Sequence, residues 1–199
     1  STLVQRVDYA DDTATALLKG SLTQITREPA SFGNQNFGYF AGGTPNQYTT
    51  VNRIDYSNDT PTASAKGPLA SGTYAVSATS NTAFGYIAGG RTAPGTSAKT
   101  LVQRVDFSND TATASPKGPL SETNSNHAAT GNADFGYHCT GSWPGSGSTV
   151  NRIDYSNDTA TASVKGPLTS HREGPAASSA GANALPTNTG LLTALFSAG

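Results

Sequence analysis

The sequence predicts an all-β repeat protein, and three observations support this prediction. The 199 residues include 22 Gly and 11 Pro, with abundant Thr, Ser and Asn, a composition that favours short strands and tight turns over long helices. Charged residues make up only 13%, which argues against a solvated, disordered chain. An internal repeat runs through nearly the whole chain, and the length suits one domain, residues 1–199.

The repeat is marked by an Arg-x-Asp-aromatic segment that occurs four times. Its aspartates follow one another at intervals of 47, 51 and 48 residues: Asp8, Asp55, Asp106 and Asp154. A Lys-Gly pair begins 11 residues after each aspartate. A Phe-Gly-Tyr triplet follows in three copies, at 37–39, 84–86 and 135–137. We therefore expect one structural unit of about 50 residues to recur.

Each unit is predicted to contain four short strands. In the copy that begins at Phe84 they cover residues 84–90, 101–107, 111–117 and about 126–131. The second strand alternates strictly, so that Ile54 and Tyr56 face one way while Arg53 and Asp55 face the other. Residues 57–60, Ser-Asn-Asp-Thr, are typical of a hairpin turn. The proline that follows each Lys-Gly pair in three copies ends the third strand.

A repeated four-stranded unit of this length is typical of a β-propeller blade, and this one resembles the kelch repeat. The matching features are the apolar strand that ends in Gly42-Gly43 or Gly89-Gly90, the hydrophobic-x-Asp-aromatic strand, and a leucine after proline. A tryptophan expected in the third strand is absent, since the only one is Trp143. The resemblance implies a kelch-like propeller with four blades of four short antiparallel strands, assigned to residues 3–35 with 191–199, 36–82, 83–133 and 134–185.

Closure of the ring is predicted to involve both chain ends. The chain starts at a second strand, Leu3 to Tyr9, with no Phe-Gly-Tyr strand before it. The apolar tail 191–199 resembles residues 85–89 and is long enough to supply the missing strand. We expect this tail to pair with the strand at Leu3 to Tyr9 and complete the first blade, so that no sheet edge is left open. The alternatives are that the tail adds to a neighbouring copy, or that the ring has further blades outside this sequence.

The repeats also resemble those of structural proteins of marine and cyanobacterial phages. The similarity lies in tracts such as Asn-Arg-Ile-Asp-Tyr-Ser-Asn-Asp-Thr and Lys-Gly-Pro-Leu. It implies a structural or receptor-binding component of a virion, such as a tail fibre, an appendage or a surface decoration, displayed outside the particle. Its partners would be other virion proteins, copies of itself or a host-surface glycan.

Charge and hydropathy narrow the possible partners. The net charge is −1, which gives no electrostatic reason to expect nucleic acid. No apolar run approaches 18 residues, so no membrane insertion is expected. The single cysteine, Cys139, excludes an intrachain disulfide and reads as a small buried strand residue.

The repeated charges are interpreted as scaffold, because a charge that recurs in every blade is most simply structural. An Arg and an Asp two residues apart share one face of a strand, which predicts a polar ladder between blades. The residues concerned are Arg6, Asp8, Arg53, Asp55, Arg104, Asp106, Arg152 and Asp154. Calcium is an alternative for Asp55, Ser57 and Asp59, but the glycine and distal glutamate of a calcium loop are missing, and a plain turn is favoured.

No catalytic residue, metal or cofactor is predicted. His127, His138 and His171 have no ligand partners at metal-like spacing, and no nucleophile elbow, phosphate loop or dinucleotide fingerprint occurs. Recognition is instead expected on loops that differ between blades. The candidate residues are Tyr48, Tyr74, Arg91, Lys99 and Trp143. A carbohydrate-binding propeller lectin is the main alternative function, and a propeller enzyme such as a sugar oxidase or sialidase is a third.

Overall fold

The computed structural model describes residues 1–46, 48–92, 97–141 and 147–179, together with the backbone of 194–196. These residues form sixteen short strands and two 3-10 turns, at Phe107–Asn109 and Tyr155–Asn157. Within this part of the chain, no helix has the length and apolar character needed to cross a membrane. The strands are β1 Gln5–Arg6, β2 Leu17–Leu18, β3 Ala30–Gly33, β4 Phe37–Ala41, β5 Val51–Asp55, β6 Ser64–Lys66, β7 Ser77–Ser80, β8 Phe84–Ala88, β9 Val102–Asp106, β10 Ser115–Lys117, β11 Ala128–Gly131, β12 Phe135–Cys139, β13 Val150–Asp154, β14 Ser163–Lys165, β15 Ala177–Ser179 and β16 Ala194–Phe196.

Twelve of these strands form three antiparallel four-stranded sheets in chain order. We call β3–β6 the first sheet, β7–β10 the second sheet and β11–β14 the third sheet. Their registers are the same, since the phenylalanine of each Phe-Gly-Tyr triplet lies opposite the repeat aspartate: Phe37 with Asp55, Phe84 with Asp106, and Phe135 with Asp154. The strands β1 and β2 pair as an N-terminal half-sheet, and β15 and β16 pair as a C-terminal half-sheet.

The sheets are arranged side by side like the blades of a propeller. The inner strands β3, β7, β11 and β15 are successive neighbours, and together they line a cavity of about 290 Å³. The fold is therefore all-β and compatible with a β-propeller. The predicted pairing of the tail with Leu3 to Tyr9 is not seen among the described strands, where β16 pairs with β15 and β1 pairs with β2.

The predicted blade boundaries are one strand late. Residues 126–131 were expected to be the last strand of their unit, whereas β11 pairs with β12 and opens the third sheet. The physical reason is a tight hairpin at Asn132, whose side-chain oxygen accepts hydrogen bonds from the backbone N–H groups of Asp134 and Phe135. Asn34 and Asn81 make the same turns in the first and second sheets. Asn turns that bond their own backbone join strands, so they do not separate blades.

Aromatic rings fill the contact between successive sheets, which we call a seam. Tyr39 of the first sheet is fully buried and stacks on Phe107 beyond the second sheet's β9, with ring centroids 4.9 Å apart. Tyr86 stacks in the same way on Tyr155 beyond β13, at 4.6 Å. Stacked aromatic pairs of this kind add to the stabilisation from apolar burial.

A charged cluster completes each seam. The Asp110 carboxylate accepts from the Arg53 Nη1 at 2.8 Å, from the Lys66 Nζ at 3.3 Å and from the Tyr39 hydroxyl at 3.0 Å. Asp110 is only 8% exposed, and burial together with this carboxylate raises the pKa of Tyr39. The same set recurs as Asp158 with Arg104, Lys117 and Tyr86, and without the tyrosine as Asp59 with Arg6 and Lys19.

The predicted ladder is therefore correct for Arg6, Arg53 and Arg104, has no counterpart at Arg152 among the described residues, and is wrong for the aspartates two residues on. Arg53 reaches across to Asp110 and stacks over the Phe37 ring at 4.1 Å, whereas Asp55 stays in its own turn. The Asp55 carboxylate accepts from the Ser57 backbone N–H and hydroxyl, and these bonds lower its pKa. Equivalent turn bonds are made by Asp8, Asp106 and Asp154. The strand ends at Asp55, so its side chain caps the turn and does not enter the seam.

Candidate binding site at the loop end of the axial cavity

The loops that lead into the four inner strands meet around one opening, which we call the mouth. The mouth has a volume of about 610 Å³, and its lining comes from all four loops: Glu28, Pro29, Ala75, Val76, Asn126, His127, Glu173, Gly174 and Pro175. Acidic and amide side chains alternate there with apolar ones. A concave site with a few polar groups on an apolar wall is the usual form of a small-molecule site.

The backbone of the mouth has an unusual conformation that recurs in every repeat. Glu28, Ala75 and Asn126 are non-glycine residues with φ of 54°, 55° and 49°, and the equivalent Gly174 has φ of 54°. The Ala75 N–H donates to the Glu28 carbonyl, and the Asn126 N–H donates to the Ala75 carbonyl. Left-handed backbone is rare outside glycine. Here it links successive loops by hydrogen bonds and holds the rim in a fixed shape.

Two buried histidines lie under one side of the mouth. His127 takes the position held by Pro29, Val76 and Pro175 in the other loops, and its Nε2 is 3.3 Å from Nδ1 of His138. The same His138 nitrogen is 3.1 Å from the Ser77 hydroxyl. Burial lowers the pKa of His127 to about 3, and burial together with His127 lowers that of His138. Both imidazoles are therefore neutral at pH 7.

The chemistry open to this pair is limited by its surroundings. No carboxylate within the described ranges hydrogen-bonds to His127 or His138, and no group of three or more metal-ligating side chains occurs there. The Nδ1 of His127 and the Nε2 of His138 are buried without a hydrogen-bond partner. Because both unpartnered nitrogens are buried, a ligand in the mouth would instead meet the exposed side chains of Glu28, Asn126 and Glu173.

The remaining histidine and the cysteine do not join this pair. The Nδ1 of His171 lies 3.0 Å from the Gly147 carbonyl oxygen and 3.4 Å from the Thr140 hydroxyl. Cys139 is fully buried on β12, its thiol donates to the Ala128 carbonyl, and burial raises its pKa to about 12. A thiol in this state is not a nucleophile.

The predicted recognition residues lie around the same end of the molecule, set back from the mouth. Tyr74 and Arg91 exchange backbone hydrogen bonds, and the Arg91 Nε donates to the Ser125 hydroxyl at 3.3 Å. Lys99 and Tyr48 belong to loops that lead out of the second strand of their sheets. All four predicted side chains, Tyr48, Tyr74, Arg91 and Lys99, are half-buried, and Trp143 lies outside the described residues.

Sequence reasoning missed Glu28, Asn126 and Glu173 as rim residues. It expected recognition on loops that differ between blades, but it had no signal for which loop residues face the mouth. The available signal was a break in periodicity, since position 127 carries histidine where the other repeats have proline or valine. It also missed Asp59, Asp110 and Asp158 as seam acceptors, although each lies four residues after a repeat aspartate.

Comparison with known proteins supports the fold and leaves the family open. No protein-family model matches the chain, and no curated protein matches it. Among solved structures, that of YjhT is similar with a TM-score of 0.71 and 11% sequence identity. The similarity covers 89% of this chain and 63% of that one, so the chain spans under two thirds of the length of the structure it matches. At this identity the likeness concerns the fold alone.

Proposed function

We propose that this protein is a non-enzymatic, kelch-like β-propeller that serves as a structural or receptor-binding component of a phage-like particle, displayed outside it. The observation that carries the proposal is that repeated and non-repeated polar residues lie in different places. The repeated charges are used in seams and turns, as with Asp110 and Asp55. The non-repeated polar residues Glu28, Asn126, His127 and Glu173 gather at the mouth. A rigid scaffold with divergent loops at one end is a common design for recognition.

The propeller in this proposal has a fourth blade whose inner half is a C-terminal half-sheet and whose outer half is an N-terminal half-sheet, supplied by the same chain or by a neighbouring copy. The C-terminal half-sheet repeats the register of β3 with β4, since Ser178 lies opposite Leu195 as Phe32 lies opposite Tyr39. The N-terminal half-sheet repeats that of β5 with β6, since Arg6 lies opposite Leu17 as Arg53 lies opposite Ser64. Inner and outer halves of one four-stranded blade are thus both present.

Binding to intact host cells tests the receptor role. Fluorescently labelled protein is incubated with a panel of cyanobacterial and marine bacterial cells, and the bound fraction is compared with that of a Glu28→Arg, Glu173→Arg variant. The matched control carries Asp55→Arg and Asp106→Arg at turns of the repeat. We expect at least one strain to bind the wild type and the control, with at least tenfold weaker binding by the mouth variant. Equal binding by all three proteins would contradict a role for the mouth.

Labelling of particles tests the structural role. An antibody against the purified protein is used for immunogold electron microscopy of phage particles from lysates of a host that carries this sequence. Gold on tails, appendages or capsid surfaces is expected. Labelling confined to host cells, with unlabelled particles, would contradict the virion assignment.

The lectin function is the second candidate, and the composition of the mouth favours it. Glu28, Glu173 and Asn126 offer hydrogen-bonding groups beside the apolar Pro29 and Val76. Sugars present hydroxyls and apolar C–H faces together, which suits such a lining. A glycan array with the wild type and the mouth variant tests it. Selective glycan binding that the variant loses is expected for a lectin, and an array without signal would leave the protein-receptor role.

A further inference from the structure

The seams inside the chain follow one rule three times. In each seam an arginine and a lysine of one sheet reach the turn aspartate of the next sheet. The backbone N–H of the glycine after that lysine donates to the carbonyl of the same aspartate. The three sets are Arg6, Lys19 and Gly20 with Asp59; Arg53, Lys66 and Gly67 with Asp110; and Arg104, Lys117 and Gly118 with Asp158.

The third sheet carries the arginine and the lysine of a further seam, and we call this pair, Arg152 and Lys165, the donor half. Arg152 and Lys165 occupy the positions of Arg104 and Lys117, yet neither has an ion-pair partner within the described ranges. Arg152 stacks over the Phe135 ring at 4.2 Å, as its equivalents do, and its Nε is buried without a partner. The Arg152 guanidinium therefore has the same orientation over phenylalanine as the guanidinium groups of Arg53 and Arg104 in the completed seams.

Gly166, which follows Lys165, also has no neighbouring sheet packed against it in the described part of the chain. A Cβ added at Gly67 or Gly118 would collide with the carbonyl oxygen of Ala112 or Ala160 in the next sheet. A Cβ added at Gly166, the equivalent glycine of the third sheet, would meet no atom of the described residues within 4 Å. No described residue therefore covers the surface at Gly166 that would receive a neighbouring sheet.

Between its two strands the N-terminal half-sheet carries the aspartate and the tyrosine of a further seam, Asp12 and Tyr9, which we call the acceptor half. Asp12 follows Asp8 by four residues, as Asp59 follows Asp55, and it is exposed without an ion pair among the described residues. Tyr9 holds the position of Tyr155, but it is 93% exposed, whereas Tyr155 is 9% exposed. A tyrosine ring that lies in water here is a stacking partner in the seam between the second and third sheets.

We propose that these two halves join between copies of this chain, head to tail. Arg152 and Lys165 of one copy bind Asp12 of a second copy, whose Tyr9 stacks on Tyr137 of the first. The second copy's β1 then adds to the edge of β16 that no described strand pairs with, as β5 adds to β4 within the first sheet. Since both halves are open in the same chain, the contact is heterologous and builds a ring or a filament, depending on the rotation between copies.

A second copy fits better than an unrelated partner because the chain itself carries both the donor half and the acceptor half of the contact. The donor and acceptor halves carry opposite charge, and their chemistry is that of three seams already present in the chain. Electrostatic complementarity of this kind sets the register and the choice of partner. The inference does not depend on the proposed particle role, since self-association is measured on purified protein without cells or particles.

Charge reversal of each half tests the proposal. Analytical ultracentrifugation of the wild type over a hundredfold concentration range is expected to show mass rising above the monomer. Asp12→Lys alone, and Arg152→Glu with Lys165→Glu, are each expected to remain monomeric, with self-association weakened at least tenfold. An equimolar mixture of the two variants is expected to associate again beyond the monomer, because the intact halves attract each other and so do the two charge-reversed halves.

Further variants separate assembly from folding. Gly166→Val is expected to block association while leaving the monomer's thermal unfolding unchanged, since the added side chain points into open space. The control Ser170→Val, at an exposed residue outside the seam, is expected to associate like the wild type. A chain carrying all three charge reversals is expected to associate again. A wild type that stays monomeric throughout, or variants that do not combine on mixing, would overturn the proposal; a monomer with Tyr9 protected from solvent would instead indicate closure within one chain.

Discussion

Asp110 in the seam between the first and second sheets and His127 at the mouth are both buried, but their surroundings differ. The Asp110 carboxylate has three partners, from Arg53, Lys66 and Tyr39. His127 has one nitrogen near His138 and another without a partner. Buried polar groups without partners are costly, and a protein keeps few of them. The difference indicates that the Asp110 carboxylate contributes to the packing of one sheet on the next, whereas the Nδ1 of His127 makes no such contribution.

The side chains around the mouth extend this contrast. In the loops before β7 and β11, the Oγ1 of Thr73 and both amide atoms of Asn124 are also buried without partners, although the Tyr155 hydroxyl in a seam is too. In the first two sheets, by contrast, each seam arginine, Arg53 or Arg104, contacts both a carboxylate and the face of a phenylalanine ring. Substitutions in seams should therefore change stability strongly, and substitutions at the mouth should change it little.

Removal of a seam acceptor should have the largest effect. Asp110→Ala leaves Arg53 and Lys66 without their carboxylate and Tyr39 without its acceptor. Breaking one side of a buried ion pair costs about 3–5 kcal/mol. Urea unfolding should show a fall of this size in the free energy of unfolding. Asp55→Ala, at an exposed turn, is the control and should cause little change; equal losses in both variants would contradict the seam model.

Acid should weaken the region beneath the mouth. The pKa of His127 is about 3 in the folded protein and about 6.5 when unfolded, so the unfolded chain binds more protons between these values. The contribution of neutral His127 to the free energy of unfolding is complete above pH 6.5. It falls by about 1.4 kcal/mol per pH unit as the pH drops towards 3. Urea unfolding at several pH values measures this slope.

The matched control for the acid effect comes from the second sheet. A variant with His127→Val and His138→Ile carries the residues found at the equivalent positions Val76 and Ile87. Its free energy of unfolding should depend less steeply on pH between 6.5 and 4. A slope as steep as that of the wild type would mean that other groups cause the acid sensitivity.

Loss of a single seam hydroxyl should have a smaller effect. Tyr86→Phe keeps the stacking on Tyr155 but removes the hydrogen bond to the Asp158 carboxylate. A hydrogen bond to a charged group contributes about 1.5 kcal/mol, and the free energy of unfolding should fall by about this amount. Tyr137→Phe in the third sheet is the control, since no hydrogen bond of its hydroxyl is present in the described residues, and dilute protein should show no loss.

The smallest expected effect is a gain in stability at the rim. Glu28 is exposed and has φ of 54°, a conformation that costs a non-glycine residue about 1–2 kcal/mol. Glu28→Gly removes this cost but adds unfolded-state entropy, so a net gain of about 0.5 kcal/mol is expected from thermal unfolding. Glu173→Gly, at an exposed residue without positive φ, should give no gain. A loss at residue 28 would mean that the Glu28 side chain stabilises the rim.

Much of the local structure was predictable because its signals are local. The alternation of Ile54 with Arg53 and Asp55 predicted the strand, and β5 ends at Asp55, two residues before the predicted turn at 57–60. The strand predicted at 84–90 begins where β8 begins and ends two residues beyond it. The boundary between sheets was missed, since Asn132 makes a hairpin turn, and a turn residue by itself does not reveal which strands it joins.

The candidate site was less predictable. Tyr74 and Arg91 were chosen as exposed loop residues, but a backbone bridge between their loops leaves both half-buried. The rim residues Glu28 and Asn126 carry no motif, and what makes them rim residues is a left-handed backbone bonded to the neighbouring loop. A contact between loops of different repeats depends on how the sheets pack, which local propensity does not encode.

By itself the sequence determined the repeat, the all-β class and the strands, because periodicity, turn residues and glycine positions act over a few residues. Tertiary structure alone decided which aspartate serves the seam. Asp55 and Asp59 recur equally in every repeat, yet only the second reaches the neighbouring sheet. Because both aspartates recur in every repeat, recurrence alone does not tell them apart. Only the packing of one sheet on the next distinguishes a turn carboxylate from a buried acceptor such as Asp110. Arg53 reaches this acceptor across 57 residues of sequence.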